Sequence, residues 1–205
     1  MNTQFTMLSA KDLCTRSCMQ LKMFREHPEL KPQPNANQIQ GCEYQHDLVK
    51  DIPGVIGEEM GNFIQVGNTR VYFSHDVLTN DSIIEIKYID LNRDVADWYL
   101  NSCFVQCAIY LTLSRMCNYS FATAKFYLDA GNEYKTHTFT NDIHYYLYFG
   151  NDRYEIVLTD FLKIKEWIER KVNAINNWDD ARAFDNTFKR KEFDYLKDFF
   201  TISLL

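Results

Sequence analysis

The stretch VYFSHDVLTNDSIIEIKYID, residues 71–90, predicts two strands joined by a polar turn. Asp76 lies in the first strand, and Glu85 and Lys87 lie in the second, inside an apolar run. Residues two apart in a strand share a face, so Glu85 and Lys87 project together. A hairpin across the turn brings Asp76 near them. We therefore expect two carboxylates and an ammonium group to meet on one face of a sheet.

This cluster suits a metal site. The run around Glu85 and Lys87 is apolar enough for a central strand, where charged residues need compensating partners. Mg²⁺ binds one or two protein carboxylates and keeps several waters. A metal acidifies water and neutralises phosphodiester charge, and a neighbouring lysine stabilises the transition state. The simpler alternative is a surface Glu–Lys pair on a half-exposed strand.

Length and composition predict one domain over residues 1–205. The chain is 46% hydrophobic and 15% aromatic, which is enough for a sizeable core. We expect N-terminal helices over 1–60, a catalytic sheet with a long helix over 61–150, and C-terminal helices over 151–205. No apolar run reaches the length of a membrane span, and the N-terminus lacks a secretory pattern. These features predict a soluble, cytoplasmic protein that binds no membrane.

The order of the predicted elements indicates the fold class. Residues 8–26 fit one helix, 62–90 fit a three-strand meander, and 94–116 fit a long apolar helix. Further strands follow, and residues 186–200 fit a last helix. This order predicts an α/β (α+β) domain in which a mixed central β-sheet is flanked by helices. The three meander strands and a strand after residue 120 are expected to form that sheet.

Charge and cysteine content restrict the function classes. The net charge of −6 argues against non-specific nucleic-acid binding unless a local basic patch supplies the contacts. Cys14 and Cys18 are four residues apart, as are Cys103 and Cys107, so each pair falls on one helix face. Four thiolates are able to hold a metal or a cluster. The wide spacing instead favours small buried hydrophobic residues.

Three motifs carry a resemblance to a known family. Asp76 followed by Glu85-Ile86-Lys87 resembles the core motif of the PD-(D/E)xK nuclease superfamily. QCAIY, residues 106–110, is similar to the QxxxY motif of its RecB-like branch, and its two motif residues share a helix face. GCEYQHDLV, residues 41–49, resembles the branch's first motif, a glycine on a helix followed by a metal-binding His or Glu. The similarity spans about residues 8–130.

The resemblance implies a restriction-endonuclease-like core and a Mg²⁺ or Mn²⁺ site. Asp76, Glu85 and the backbone carbonyl of Ile86 would bind the ion, and Lys87 would act on the attacking water. A further ligand would come from Gln45 or His46: Gln45 holds the position of the family's His or Glu, and His46 is adjacent.

The resemblance also bears on substrate contacts and on a cluster. Gln106 and Tyr110 are expected to bind the substrate, the alternative for Tyr110 being burial in the core. Some members of the branch carry an iron–sulfur cluster built from one N-terminal and three C-terminal cysteines. No iron–sulfur cluster is expected here, because no cysteine follows Cys117.

The implied activity is that of a divalent-metal-dependent DNA nuclease, with exonuclease favoured over endonuclease. The implied setting is phage or mobile-element recombination or repair, in a bacterial or phage-infected cell. Single- or double-stranded DNA is the expected partner, and a recombinase or another replication or recombination protein is compatible with that role. The alternatives are a catalytically weak or inactive binding module and an RNA endonuclease, both of the same fold.

Overall fold

A computed structural model describes residues 5–50, 54–58, 61–74, 76–79, 83–88, 97–117, 124–129, 144–149, 152–188 and 195–204. The helices are α1 (Ala10–Thr15), α2 (Cys18–Glu26), α3 (Ala36–Val49), α4 (Asp97–Met116), α5 (Phe161–Ala174) and α6 (Trp178–Phe188). The strands are β1 (Thr6–Ser9), β2 (Val55–Glu58), β3 (Gly61–Val66), β4 (Thr69–Ser74), β5 (Val77–Thr79), β6 (Ile83–Tyr88), β7 (Ala124–Asp129), β8 (His144–Phe149), β9 (Asp152–Leu158) and β10 (Phe200–Leu204).

The described strands form two sheets. The larger sheet has the order β10-β9-β8-β7-β6-β5-β2. It is mixed, because β6 and β8 run parallel to β7 while the other neighbouring pairs are antiparallel. The smaller sheet has the order β1-β4-β3, in which β3 and β4 form a hairpin and β1 is parallel to β4. A mixed sheet combined with helices confirms the predicted α/β (α+β) class.

The predicted three-strand meander is wrong in one respect. The strand expected to continue through Asp76 ends at Ser74, and the chain then enters the larger sheet as β5. Val71 and Phe73 of β4 are buried in the core as part of the smaller sheet. The predicted hairpin between β5 and β6 is confirmed. The division between sheets depends on which distant strands pair with each half, and the local sequence pattern does not specify those partners.

The helix expected over residues 8–26 is confirmed for most of its length, but it is divided into α1 and α2, and β1 occupies its first two residues. Ser17 interrupts the helix and caps α2: its hydroxyl accepts a hydrogen bond from Gln20 N, and the Gln20 side chain accepts one from Ser17 N. Asp185 of α6 adds a tertiary cap. Its carboxylate accepts hydrogen bonds from Cys18 N at 2.8 Å and Met19 N at 2.9 Å. The first three backbone N–H groups of α2 therefore all have hydrogen-bond acceptors.

The C-terminal region, where helices were expected over 151–205 after strands that end near residue 159, contains both kinds of element. The helices α5 and α6 are present, but β9 and β10 flank them and pair antiparallel. The last helix predicted over 186–200 is present at its described ends, in α6 up to Phe188 and in a helical turn over Lys197–Phe199, before β10 begins at Phe200. Residues 189–194 of this prediction lie outside the described residues. The aromatic residues in β10 and just before it suit either a helix face or a strand, and pairing with β9 decides between them.

One hydrophobic cluster joins α1, α2, the smaller sheet, α4, α5 and α6. Lys171 of α5 lies inside it, fully buried, and its ammonium group donates a hydrogen bond of 2.7 Å to the carbonyl of Leu13 in α1. That carbonyl belongs to the last turn of α1, where carbonyls have no partner within the helix. The Lys171 ammonium also lies 4.9 Å from the centre of the Trp167 ring. No helix in the described ranges is both long and apolar enough to cross a bilayer.

Candidate functional site

The candidate site is built on the β5–β6 hairpin. Val77 lies opposite Ile84, and Leu78 lies opposite Ile83. Extending this register by one residue places Asp76, which directly precedes β5, opposite Glu85. Residues directly opposite each other in an antiparallel pair share a face, with Cβ atoms about 5 Å apart. The described ladder itself stops at Val77 and Ile84, so both predicted ligand positions lie at this end of the hairpin.

The strand β6 lies inside the larger sheet, between β5 and β7, as predicted. Glu85 and Lys87 are two residues apart in this strand and so belong to the same face. In the ladder with β7 they lie beside Phe126 and Leu128. The described β5 ladder ends at Ile84, whereas the β7 ladder continues to Tyr88. The Ile86 backbone therefore lies in the part of β6 that pairs with β7 but not with β5 in the described ladders.

Asp76 lies at the point where the chain passes from the smaller to the larger sheet, and its side chain is half-buried. Among the side chains that the structure describes, no group of three or more His, Cys, Asp or Glu residues is placed to hold a metal ion. Glu85 and Lys87 are described by their backbone positions alone. The juxtaposition of Asp76 with Glu85 therefore rests on extending the described register by one residue.

The helix α3, which carries both candidates for the further ligand, packs beside β6. Gln45 is half-buried in this helix, whereas His46 is exposed. The next residue, Asp47, is bound to the ammonium of Lys50 at 2.8 Å, and this hydrogen bond lowers the pKa of the Asp47 carboxyl. The more buried position of Gln45 favours it over His46 as the residue turned toward the protein.

Gln106 and Tyr110 lie on α4, one helical turn apart, and both are buried. This helix packs against β7 and β9 of the larger sheet and against β3 of the smaller one. Tyr110 belongs to the hydrophobic cluster. A core role accounts for that location, and substrate binding by these two residues stays a prediction.

The cysteines in the described part of the chain take different positions. Cys14 and Cys18 are buried, and their thiols donate to the carbonyls of Ala10 and Lys171. Cys42 is exposed, and burial raises the pKa of the partly covered Cys117 thiol. For Cys14 and Cys18 this is the environment of small buried hydrophobic residues. The side chains of Cys103 and Cys107 lie outside the described set.

Sequence reasoning missed a cluster of exposed aromatic residues on the smaller sheet. Phe63 of β3 and Tyr72 of β4 lie opposite each other on its outer face. The signal was present in the sequence, because the alternation of buried residues in β3 and β4 leaves both aromatics at outward positions.

Comparison with known proteins bears on the fold. No family model matches the sequence, and no curated protein matches it. Among solved structures, the crystal structure of SSO0001 is similar, with a TM-score of 0.51 and 19% sequence identity. The similarity covers 84% of this chain and 77% of that one. At this level of identity the two chains share a fold, and the likeness says nothing about activity.

Proposed function

We propose that the chain is a divalent-metal-dependent DNA nuclease related to the RecB-like branch of the PD-(D/E)xK superfamily. The observation that supports this most is the register of β5 and β6. The described ladder pairs Val77 with Ile84, and its continuation by one residue would set Asp76 opposite Glu85. Lys87 belongs to the same face of this interior strand as Glu85. The order of the motif elements supports it further, because α3 packs beside β6 and α4 follows in the chain.

The donor set fits a hard cation. Asp76 and Glu85 supply carboxylate oxygens, the carbonyl of Ile86 supplies a third oxygen, and Gln45 supplies an amide oxygen from α3. Oxygen ligands of this kind suit Mg²⁺ and Mn²⁺. When bound, the ion acidifies a water and neutralises charge on the phosphodiester.

The protein residues have separate tasks in this proposal. Lys87 shares the face of Glu85, so its ammonium orients the attacking water and offsets the charge that develops on the phosphoryl oxygens. Asp76 and Glu85 would hold the ion, and so the scissile phosphate, at this point of the sheet. Exonucleolytic action is proposed over endonucleolytic action on the basis of the family resemblance.

The test is digestion of end-labelled DNA. Single- and double-stranded DNA and a matched RNA are incubated with Mg²⁺, with Mn²⁺ or with EDTA, and a circular single strand tests the need for an end. We expect cleavage of linear DNA with either metal and none with EDTA. Preferential cleavage of RNA would move the proposal to an RNA endonuclease. No cleavage of any substrate with either metal would favour an inactive binding module.

A further inference from the structure

The smaller sheet has one buried and one open face. Its inner face contributes Ile64, Val66, Val71 and Phe73 to the core. On its outer face, Met7, Phe63 and Tyr72 are 59%, 42% and 39% exposed. We call Met7, Phe63, Tyr72 and the intervening Arg70 the aromatic face. Large apolar residues clustered on an open sheet indicate a contact surface.

The register of the small sheet holds these residues in one patch. Phe63 lies opposite Tyr72, and Met7 lies beside Arg70. A side chain at Gly61 would collide with the Tyr72 ring and with the carbonyl of Phe73. The glycine therefore leaves the space that the Tyr72 ring occupies. The aromatic face is shaped by strand pairing and does not depend on a mobile loop.

Arg70 adds a charge to this patch. Its guanidinium lies 4.1 Å from the centre of the Phe5 ring and 4.6 Å from that of Phe63. Among the described residues no carboxylate pairs with it, and its buried Nε has no hydrogen-bond acceptor. Aromatic rings hold the guanidinium by cation–π contact. The face thus carries a cation that no described carboxylate neutralises.

Further cations border the aromatic face. Met7 and Tyr72 also line a cleft of about 280 Å³, together with Arg25 and Lys31. Asp12, another residue of the cleft, is bound by both Lys31 and Arg16. The lining of the cleft therefore contains two cations, Arg25 and Lys31, and one carboxylate, that of Asp12. This is a locally positive region in a chain whose net charge is −6.

We propose that the aromatic face binds single-stranded nucleic acid, with bases stacked on Phe63 and Tyr72 and phosphates drawn to Arg70 and the cleft cations. Open aromatic rings next to cations are the combination that single-strand binding uses, because every base offers a flat π surface. The inference rests on the proposed nuclease function, for which it supplies the strand-holding surface. Tyr72 precedes Asp76 by four residues, so the two Cα atoms are at most about 14 Å apart.

Binding is measured in EDTA, so that it is independent of cleavage. Anisotropy of a labelled dT oligomer and of a matched rU oligomer is followed with the full chain. We expect Phe63→Leu and Tyr72→Leu each to weaken binding about tenfold, since each removes a stacking surface. Phe63→Trp should retain affinity. The control Leu162→Ala changes an exposed apolar residue on α5, 60% exposed, and should leave binding unchanged.

The salt dependence tests the role of Arg70. Arg70→Gln should lower the slope of log Kd against log salt by about one phosphate contact. Circular dichroism of each variant checks that it folds. Wild-type affinity in both leucine variants, or no binding by the unmodified chain, would overturn the proposal. Sedimentation showing a dimer that Phe63→Leu dissociates, without nucleic-acid binding, would instead make the face a self-association surface.

The two proposals fail separately. If the unmodified chain binds single strands in EDTA but cleaves no substrate with either metal, the nuclease proposal is rejected. The proposal that the aromatic face binds nucleic acid is then retained. Cleavage at the wild-type rate in Phe63→Leu and Tyr72→Leu, with unchanged affinity, would reject the aromatic face and keep the nuclease.

Discussion

Val77 lies opposite Ile84 in the antiparallel pair of β5 and β6. Continued by one residue, this pairing would set Asp76 and Glu85 at opposing positions. A shift of one residue in the register would put Glu85 and Lys87 on the opposite face of the sheet from Asp76. The candidate metal site therefore depends on the register of a short hairpin.

The carboxylate pair gives the first prediction. Asp76→Asn or Glu85→Gln should reduce metal-dependent cleavage by about 10²-fold or more, because a charge that binds the cation is lost while shape is kept. Cleavage of labelled DNA and calorimetric Mn²⁺ binding measure the two effects. The control Asp47→Asn removes an exposed carboxylate of α3 that is bound to Lys50. Wild-type cleavage by either site variant would show that the site is elsewhere.

Lys87 is expected to stabilise the charge of the transition state and not to bind the metal. Lys87→Met should lower the cleavage rate about 10²-fold through lost transition-state stabilisation, with Mn²⁺ affinity little changed. Single-turnover rates over a range of Mg²⁺ concentrations measure this. If excess Mg²⁺ restores the full rate, Lys87 supports the ligands and has no role of its own.

The choice between Gln45 and His46 can be decided by substitution. Gln45 is half-buried on the helix beside β6, whereas His46 is exposed. Gln45→Ala should weaken Mn²⁺ binding about tenfold, Gln45→Glu should tighten it, and His46→Ala should change it little. The reverse pattern, with loss confined to His46→Ala, would assign the ligand to His46.

Asp185 is expected to stabilise the α2 N-terminus across the fold. Asp185→Ala removes the acceptor of two backbone hydrogen bonds and should lower the free energy of unfolding by about 1–3 kcal/mol. Asp185→Asn should cost less, because one oxygen remains. Urea denaturation measures both, with the exposed neighbour Asn186→Ala as control. Equal free energies of unfolding for Asp185→Ala and the control would show that the Asp185 hydrogen bonds do not stabilise the fold.

The thiols should differ in reactivity. Burial raises the pKa of Cys117, so less of it is thiolate near neutral pH, whereas Cys42 is exposed. Mass spectrometry after brief iodoacetamide treatment should show Cys42 modified before Cys117. The raised pKa of Cys117 in the folded state contributes stability below the ordinary thiol pKa, and this contribution is lost as the pH rises through the raised pKa. Faster labelling of Cys117 than of Cys42 would contradict its burial.

Part of the fold could be read from local patterns. Alternating apolar residues predicted the β3–β4 hairpin and the β5–β6 hairpin, and the long apolar run predicted α4. Periods of two and of 3.6 residues are properties of neighbouring positions, so the sequence itself carries them. The same local spacing placed Glu85 and Lys87 on one face of a strand.

Other features depended on contacts between distant segments. The chain changes sheets between β4 and β5, Asp185 holds the N-terminus of α2, and β10 forms where a helix was expected. Each involves a partner far away in the sequence, and a local pattern cannot specify which strand or helix will supply it. The sequence by itself thus determined the hairpins, the long helix and the shared face of Glu85 and Lys87. Tertiary pairing alone decided the division into two sheets, the cap of α2 by Asp185 and the strand β10, because strand partners and burial are set only when distant segments pack together.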